Sequence, residues 1–189
     1  MWFKCLILKE VLNELKEIEP SRAWMNAIMQ SSSEIETTGM SVELRPNFWK
    51  QYPLDQLSNA EWEALCDGCG LCCLVKLEDE ETAEVAYTKV SCKLLDCKTA
   101  RCSDYPNRQQ QVPDCIQLTP ERLSTISWLP PSCAYRRLSE GKNLPSWHYL
   151  NTGSRQSVIK AKKSAAGRCI SETEIDEEQI EDYIVRWIR

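Results

Sequence analysis

Hydrophobic positions fall at helical spacing early in the chain: Val11, Leu12, Leu15 and Ile18 within 9–19, then Trp24, Ile28 and Met29 after Pro20-Ser21. This spacing predicts two short helices, and the polar stretch 31–39, ending in Gly39, predicts a linker. Residues 1–39 thus read as a helical N-terminal extension and 40–189 as the main domain, with Met40 a possible start of the working protein. Ser58-Asn-Ala-Glu61 is a capping box, and Trp62 and Leu65 share one face of the helix it opens, over about 59–66. The alternation of Val85-Ala-Tyr-Thr-Lys-Val90 predicts a strand. Thr119 and Pro120 open another helix that Pro130-Pro131 stops, and Ser132 caps one that carries Cys133, Tyr135 and Leu138 and ends at Gly141. A short strand at 168–171 follows. A last helix from about Ile175 places Ile180, Tyr183, Ile184 and Trp187 on one face. The fold class expected is α+β, small, built mostly of short helices and loops with a few short strands.

Composition narrows the function. With 189 residues, 42% hydrophobic and 27% charged, the chain is long enough for one core-bearing domain and an appendage. The net charge of −5, from 23 basic and 28 acidic residues, argues against a general nucleic-acid or anionic-membrane binder. The five acidic residues in 78–84 lack the Asp-x-Asp-x-Asp-Gly pattern of an oxygen-lined cation loop and read as a solvated turn. The basic stretch Arg155, Lys160, Lys162 and Lys163 reads as a solvated loop, with phosphate contact as its alternative. The apolar run Met1-Trp-Phe-Lys-Cys-Leu-Ile-Leu8 is too short for a signal-peptide core, and no run of about 20 apolar residues offers a membrane span. A cytoplasmic protein is the expectation.

Cysteine changes the picture most. Eleven cysteines is a high and odd count, and in a reducing compartment it points to metal-bound or reactive thiols rather than disulfides. Four of them stand in Cys66-Asp-Gly-Cys-Gly-Leu-Cys-Cys73. Two cysteines separated by two residues can turn their sulfurs toward one ion, and Gly68 and Gly70 let the backbone bend around it with amides aimed at the sulfurs. The predicted strand leads into Cys92; Cys97, Cys102 and Cys115 follow, enough to complete a four-thiolate site with some over. Adjacent side chains diverge, so Cys72 and Cys73 serve different ions or bridge two.

These motifs together resemble a bacterial family, the cysteine-cluster proteins written CxxCxxCC or YkgJ-like, and within it the YcgN branch. The resemblance rests on Phe48-Trp49, on the run from Asn59 to Cys73, on Cys102-x-x-Tyr-x-x-Arg108, on Pro113-Asp-Cys115-Ile-x-Leu118, on Trp128-Leu-Pro-x-x-Cys133-Ala-Tyr-Arg136 and on Glu140-Gly-Lys-x-Leu-Pro-x-Trp-His148. It implies zinc or iron chelation, with Cys66, Cys69, Cys72, Cys73, Cys92, Cys102, Cys115 and Cys133 as the ligand set. Cys97 is displaced from the position where some relatives pair cysteines ahead of the Tyr-x-x-Arg element.

Thiolate ligands with a single histidine favour a zinc ion, an iron ion or an iron–sulfur cluster over copper(II), nickel, magnesium or calcium. The spacing of Cys66, Cys69 and Cys72 with a remote fourth ligand resembles ferredoxin-type sites, without their following Cys-Pro. His148 reads as structural, Tyr105 and Arg108 as packing or supporting the ligands, and Trp62, Trp128 and Trp147 as core or shielding. Three functions stay open: a metal-binding protein whose ion is structural or stored, an iron or iron–sulfur metalloenzyme, and a protein–protein interaction module using the helical extension or the last helix. The first is the expectation, since no Ser-His-Asp, P-loop or dinucleotide signature is present.

Overall fold

The structure, a computed structural model, describes residues 2–4 and 43–188. The two early helices, the linker and Met40 lie outside the described residues. The chain divides into a unit of 1–5 with 44–189 and a second unit of 6–43.

A four-stranded sheet runs through the first unit in the order β1 (Trp2–Lys4), β2 (Leu74–Asp79), β3 (Val85–Ser91), β6 (Ile170–Ser171). β2 and β3 form an antiparallel hairpin, while β6 lies parallel to β3 with Val90 opposite Ile170. The acidic run is the hairpin's turn: Asp79 Oδ1 accepts from the amides of Glu81 and Thr82 at 3.0 and 2.9 Å, as a solvated turn requires. A second ladder pairs β4 (Leu95–Asp96) with β5 (Arg101–Cys102).

The helices are short: α1 (Phe48–Gln51), α2 (Asn59–Ala64), α3 (Arg108–Gln111), α4 (Ala134–Ser139), α5 (Tyr149–Thr152) and α6 (Ser157–Lys160). α2 opens on the predicted capping box, with Ser58 and Glu61 each bonding the other's backbone amide. Two expectations change. The helix from Thr119 is only a 3₁₀ turn at Glu121–Thr125, where the Ser124 and Thr125 hydroxyls donate to carbonyls three residues back. The last helix does not form: Glu177–Tyr183 winds as 3₁₀ and the chain then extends, so that the Val185 amide donates to the Tyr87 carbonyl at 2.8 Å. No helix among the described residues is long and apolar enough to cross a membrane.

Two hydrophobic cores result. One gathers Phe48, Leu65, Leu123, Leu129, Tyr135 and Leu144 around α1, α2 and α4; the other gathers Leu71, Leu74, Leu95, Ala100, Ala165 and Ile188 beside the sheet.

Candidate metal centre

The cysteine loop is held by polar contacts at its start and midway along it. Leaving α2, the chain would expose the last carbonyls of the helix. Tyr135 Oη donates to the Trp62 carbonyl at 2.9 Å, Tyr149 Oη to that of Ala64, and His148 Nε2 to that of Leu65 at 3.0 Å. His148 is 0% exposed, and its Nδ1 accepts from the Leu150 amide at 3.2 Å. With both ring nitrogens engaged on backbone, it fixes where Cys66 emerges and has no lone pair left for a metal, as the sequence reading expected. Midway along the loop, the Cys69 carbonyl accepts from the Ala165 amide and the Ser164 hydroxyl at 2.8 and 3.1 Å.

Gly68 and Gly70 both take positive φ, +73° and +72°. Gly70 is also the tighter position: a Cβ there would stand 2.9 Å from the Cβ of Ala100. Asp67 turns inward and its Oδ1 accepts from the Cys69 amide at 3.0 Å. Beside the loop lies an open cleft of about 320 Å³ lined by Asp67, Gly68, Lys98, Arg101 and Arg155, so the loop's outer face meets positive charge. Arg155 from the basic stretch stacks on Tyr149 and donates to the Cys66 carbonyl at 3.1 Å.

By the charges that each thiol feels, the candidate cysteines sort into two overlapping groups, the first being Cys66, Cys69, Cys72 and Cys133. Burial pushes the Cys66 thiol up to about 12, and negative charge on Cys72, Asp67 and Cys133 adds to it. Burial raises Cys69 strongly, with Asp67, Cys72 and Cys66 contributing. Cys133 is pushed up to about 12 by burial and feels Cys72. The second group is Cys73, Cys92, Cys102 and Cys115. The Cys92 amide donates to the Cys73 carbonyl at 2.9 Å, and Cys92 feels the charge of Cys115 and Cys102. Cys115 is raised by burial, opposed by the nearby Arg108, and feels Cys72 ahead of Cys102, so the two groups overlap at Cys72. Among the described residues, no three His, Cys, Asp or Glu side chains are already drawn close enough together to hold an ion.

Cys72 and Cys73 join the groups, their sulfurs 3.9 Å apart. One thiol donates to the other, an arrangement that lowers Cys72 and raises Cys73. Lys76 adds positive charge here: its ammonium donates to the carbonyls of Cys72 and Leu74 at 2.8 and 2.6 Å and sits 4.4 Å from the Trp128 ring. Sequence reasoning passed over Lys76; the signal was a lysine at an inward position of β2.

The donor set fits thiolate ligation of a soft cation. The Leu94 amide donates to Cys92 Sγ at 3.5 Å, and backbone amides favour the charged forms of three more thiols: Gly68 for Cys66, Leu71 for Cys69, and Arg136 with Tyr135 for Cys133. A neutral thiol has little use for such donors, whereas a metal-bound thiolate is stabilised by them. Of the supporting residues, Arg108 stands at Cys115, whereas Tyr105 donates to Glu63 Oε2 at 2.7 Å and touches no sulfur. Trp62 and Trp128 pack on the first core.

Comparison with known proteins agrees with this donor set. Residues 65–134, which hold all eight cysteines, match a family model named CxxCxxCC and described as a "Putative zinc- or iron-chelating domain". The chain is similar to a UPF0260 protein of Pseudomonas entomophila, 54% identical over 146 residues that make up 77% of this chain and 97% of the relative. It is similar as well to a UPF0260 protein of Parvibaculum lavamentivorans, 56% identical over 140 residues, 74% of this chain and 92% of the relative. No solved structure matches. The family match supports metal binding by this segment.

Proposed function

Because the chain belongs to the UPF0260 family, whose CxxCxxCC segment is of the zinc- or iron-chelating type, we propose that it is a metal-binding protein that holds two ions and needs them for its folded form. Cys66, Cys69, Cys72 and Cys133 would hold one, and Cys73, Cys92, Cys102 and Cys115 the other. The observation that carries this reading is the support that backbone amides give the charged forms of Cys66, Cys69, Cys92 and Cys133, with the Leu94 amide 3.5 Å from Cys92 Sγ. Four cysteines per ion satisfy zinc or an iron–sulfur cluster, and Cys72 and Cys73, whose sulfurs lie 3.9 Å apart, would stand where the two sites meet.

A second reading rests on the first group, where three closely spaced cysteines and a remote fourth match the ligand pattern of an iron–sulfur cluster, with redox or modifying chemistry as its use. Metal and acid-labile sulfide analysis, with a visible spectrum, on protein purified without oxygen and without a metal-binding tag distinguishes the two. Colourless protein with two zinc ions per chain is the outcome for structural sites; a brown protein with iron and matching sulfide moves redox chemistry forward. Chelation should lower the melting temperature strongly, because binding free energy is folding free energy when ligands are brought from separate segments. Metal-free protein that melts unchanged would overturn the proposal.

A further inference from the structure

Cys97 and Cys169 are the two described cysteines that belong to neither thiol group. Cys97 sits in the turn between β4 and β5, and Cys169 immediately precedes β6. They come together through backbone pairing: the Gly167 amide donates to the Cys97 carbonyl at 2.7 Å, and β6 lies along β3 with Ser171 opposite Ser91. Buried Ser91 stands between them. Its hydroxyl is 3.4 Å from Cys97 Sγ and donates to the Ile170 carbonyl at 3.2 Å. The Cys169 thiol is in hydrogen-bond contact with both Cys97 and Ser91. Both cysteines keep partial solvent exposure, and Cys169 packs on the second core.

From this juxtaposition we infer that Cys97 and Cys169 are a dithiol–disulfide modification site, distinct from the metal-binding groups, which exchanges with small disulfides of the oxidised-glutathione class and clamps the β6 segment to the β4–β5 turn. The exchange balances within its reactants. The Cys97 thiolate attacks one sulfur of the small disulfide, forming a mixed disulfide and releasing one small thiolate. Cys169 then gives up its proton, and its sulfur attacks Cys97 Sγ, forming the internal bond and releasing the second thiolate. Two protein thiols are oxidised, one small disulfide is reduced to two thiols, and the two protons pass to the released thiolates. Burial, followed by the neighbouring Cys97, pushes the Cys169 thiol up to about 12, which disfavours Cys169 as the first attacking thiolate. The clamp bears on the second metal-binding group, because Glu172, just past β6, accepts from the Lys93 amide at 2.8 Å and its charge is felt at Cys92.

Peptide mapping of the metal-loaded full chain tests this. After treatment with oxidised glutathione and alkylation of free thiols, tryptic digestion isolates Cys97 in peptide 94–98 and Cys169 in peptide 169–186, each with no other cysteine. The expected result is these two peptides joined and lighter by two hydrogens. The joined pair should be the predominant crosslink, and should separate on reduction while metal content holds. Cys97→Ser and Cys169→Ser should each abolish it. Recovery of both cysteines fully alkylated from folded, oxidant-treated protein overturns the inference, as does pairing of either with a different cysteine. Loss of metal in step with the crosslink overturns the assignment as a separate site. Metal content and crosslink are read independently, so protein that binds no metal yet forms this crosslink would defeat the proposed function and leave the redox site standing.

Discussion

The two cores are stabilised by different means. The first is hydrocarbon and aromatic: Phe48, Leu65 and Leu129 are almost fully enclosed, with Trp49, Tyr52, Trp62 and Trp128 packed around them. The second has no aromatic among its buried members, Leu71, Leu74, Leu95, Ala100, Ala165 and Ile188, and Cys69, Cys73 and Cys169 pack against it. Burying a leucine or phenylalanine contributes about 1.5–3 kcal/mol, and alanine far less. The first core, with nine buried members to the second's six, has more apolar burial to hold its shape. The first cysteine group also touches both, since Cys133 packs on the first core and Cys69 on the second. On the proposed reading, an ion held there would fasten one core to the other.

The largest effect that sharpens this contrast comes from matched truncations. Phe48→Ala should destabilise the metal-loaded protein by about 3–5 kcal/mol in urea unfolding, with metal retention unchanged. Leu95→Ala should cost about 2–5 kcal/mol and, unlike Phe48→Ala, speed metal transfer to a chelator under conditions where the protein stays folded. Equal metal release from both variants would remove the distinction between the cores.

A smaller effect separates the two loop glycines. Both Gly68→Ala and Gly70→Ala place a side chain at positive φ, costing about 1–2 kcal/mol. Gly70→Ala also drives a methyl into Ala100, where the gap is 2.9 Å, whereas the nearest atom to a Cβ at Gly68 is 3.8 Å away on the mobile end of Arg101. Gly70→Ala should therefore destabilise by about 2–4 kcal/mol, the added part being overpacking, and should weaken metal binding more than Gly68→Ala. Adding Ala100→Gly should recover the steric part, read as a coupling in a double-mutant cycle on chemical unfolding. Absence of coupling would mean that the loop and the β4–β5 turn do not constrain each other.

Local signals in the sequence were enough for several of these elements. The Ser58–Glu61 capping box and the alternation of Val85–Ser91 each encode their element within a few residues, and both form. The last helix was misread because Ile180, Tyr183 and Ile184 have helical spacing; Asp176, Glu177, Glu178, Glu181 and Asp182 crowd negative charge along the same stretch, and β3 offers backbone partners, which Ile184 and Val185 take. The cysteine motif made the candidate ligands legible as a set. Their division into two groups was not, because it depends on which distant segments the sheet and α4 bring to the loop. Cys97 and Cys169 were illegible for the same reason: nothing in either neighbourhood announces the β3–β6 pairing that joins them.

The smallest expected effect tests whether the first core is as independent of charge as its composition implies. Its one enclosed carboxylate, Glu61, is 2% exposed and meets Arg45: Oε1 accepts from Arg45 Nε at 2.7 Å, and Oε2 from Arg45 Nη2 at 2.6 Å and from the Ser58 amide at 2.9 Å. The Arg45 guanidinium, above all, lowers Glu61 from 4.5 to about 2. A carboxylate with a lowered value in the fold contributes stability above its unfolded value and loses it as pH falls toward its folded value. Glu61→Gln keeps the shape and one carbonyl acceptor while removing the charge, so its melting temperature should fall below that of the parent at pH 7. The gap should hold down to about pH 4.5 and close toward pH 2. Metal release in acid lowers both proteins alike and cancels in the difference. Glu140→Gln is the control: Glu140 is also lowered to about 2, by Arg136 and then Lys142, but it is one-third exposed, where screening leaves a pair little to contribute. If Glu140→Gln shifted the melting temperature as much as Glu61→Gln, enclosure would not be what gives the Arg45–Glu61 pair its weight, and the first core would hold its helix ends by surface charge rather than by burial.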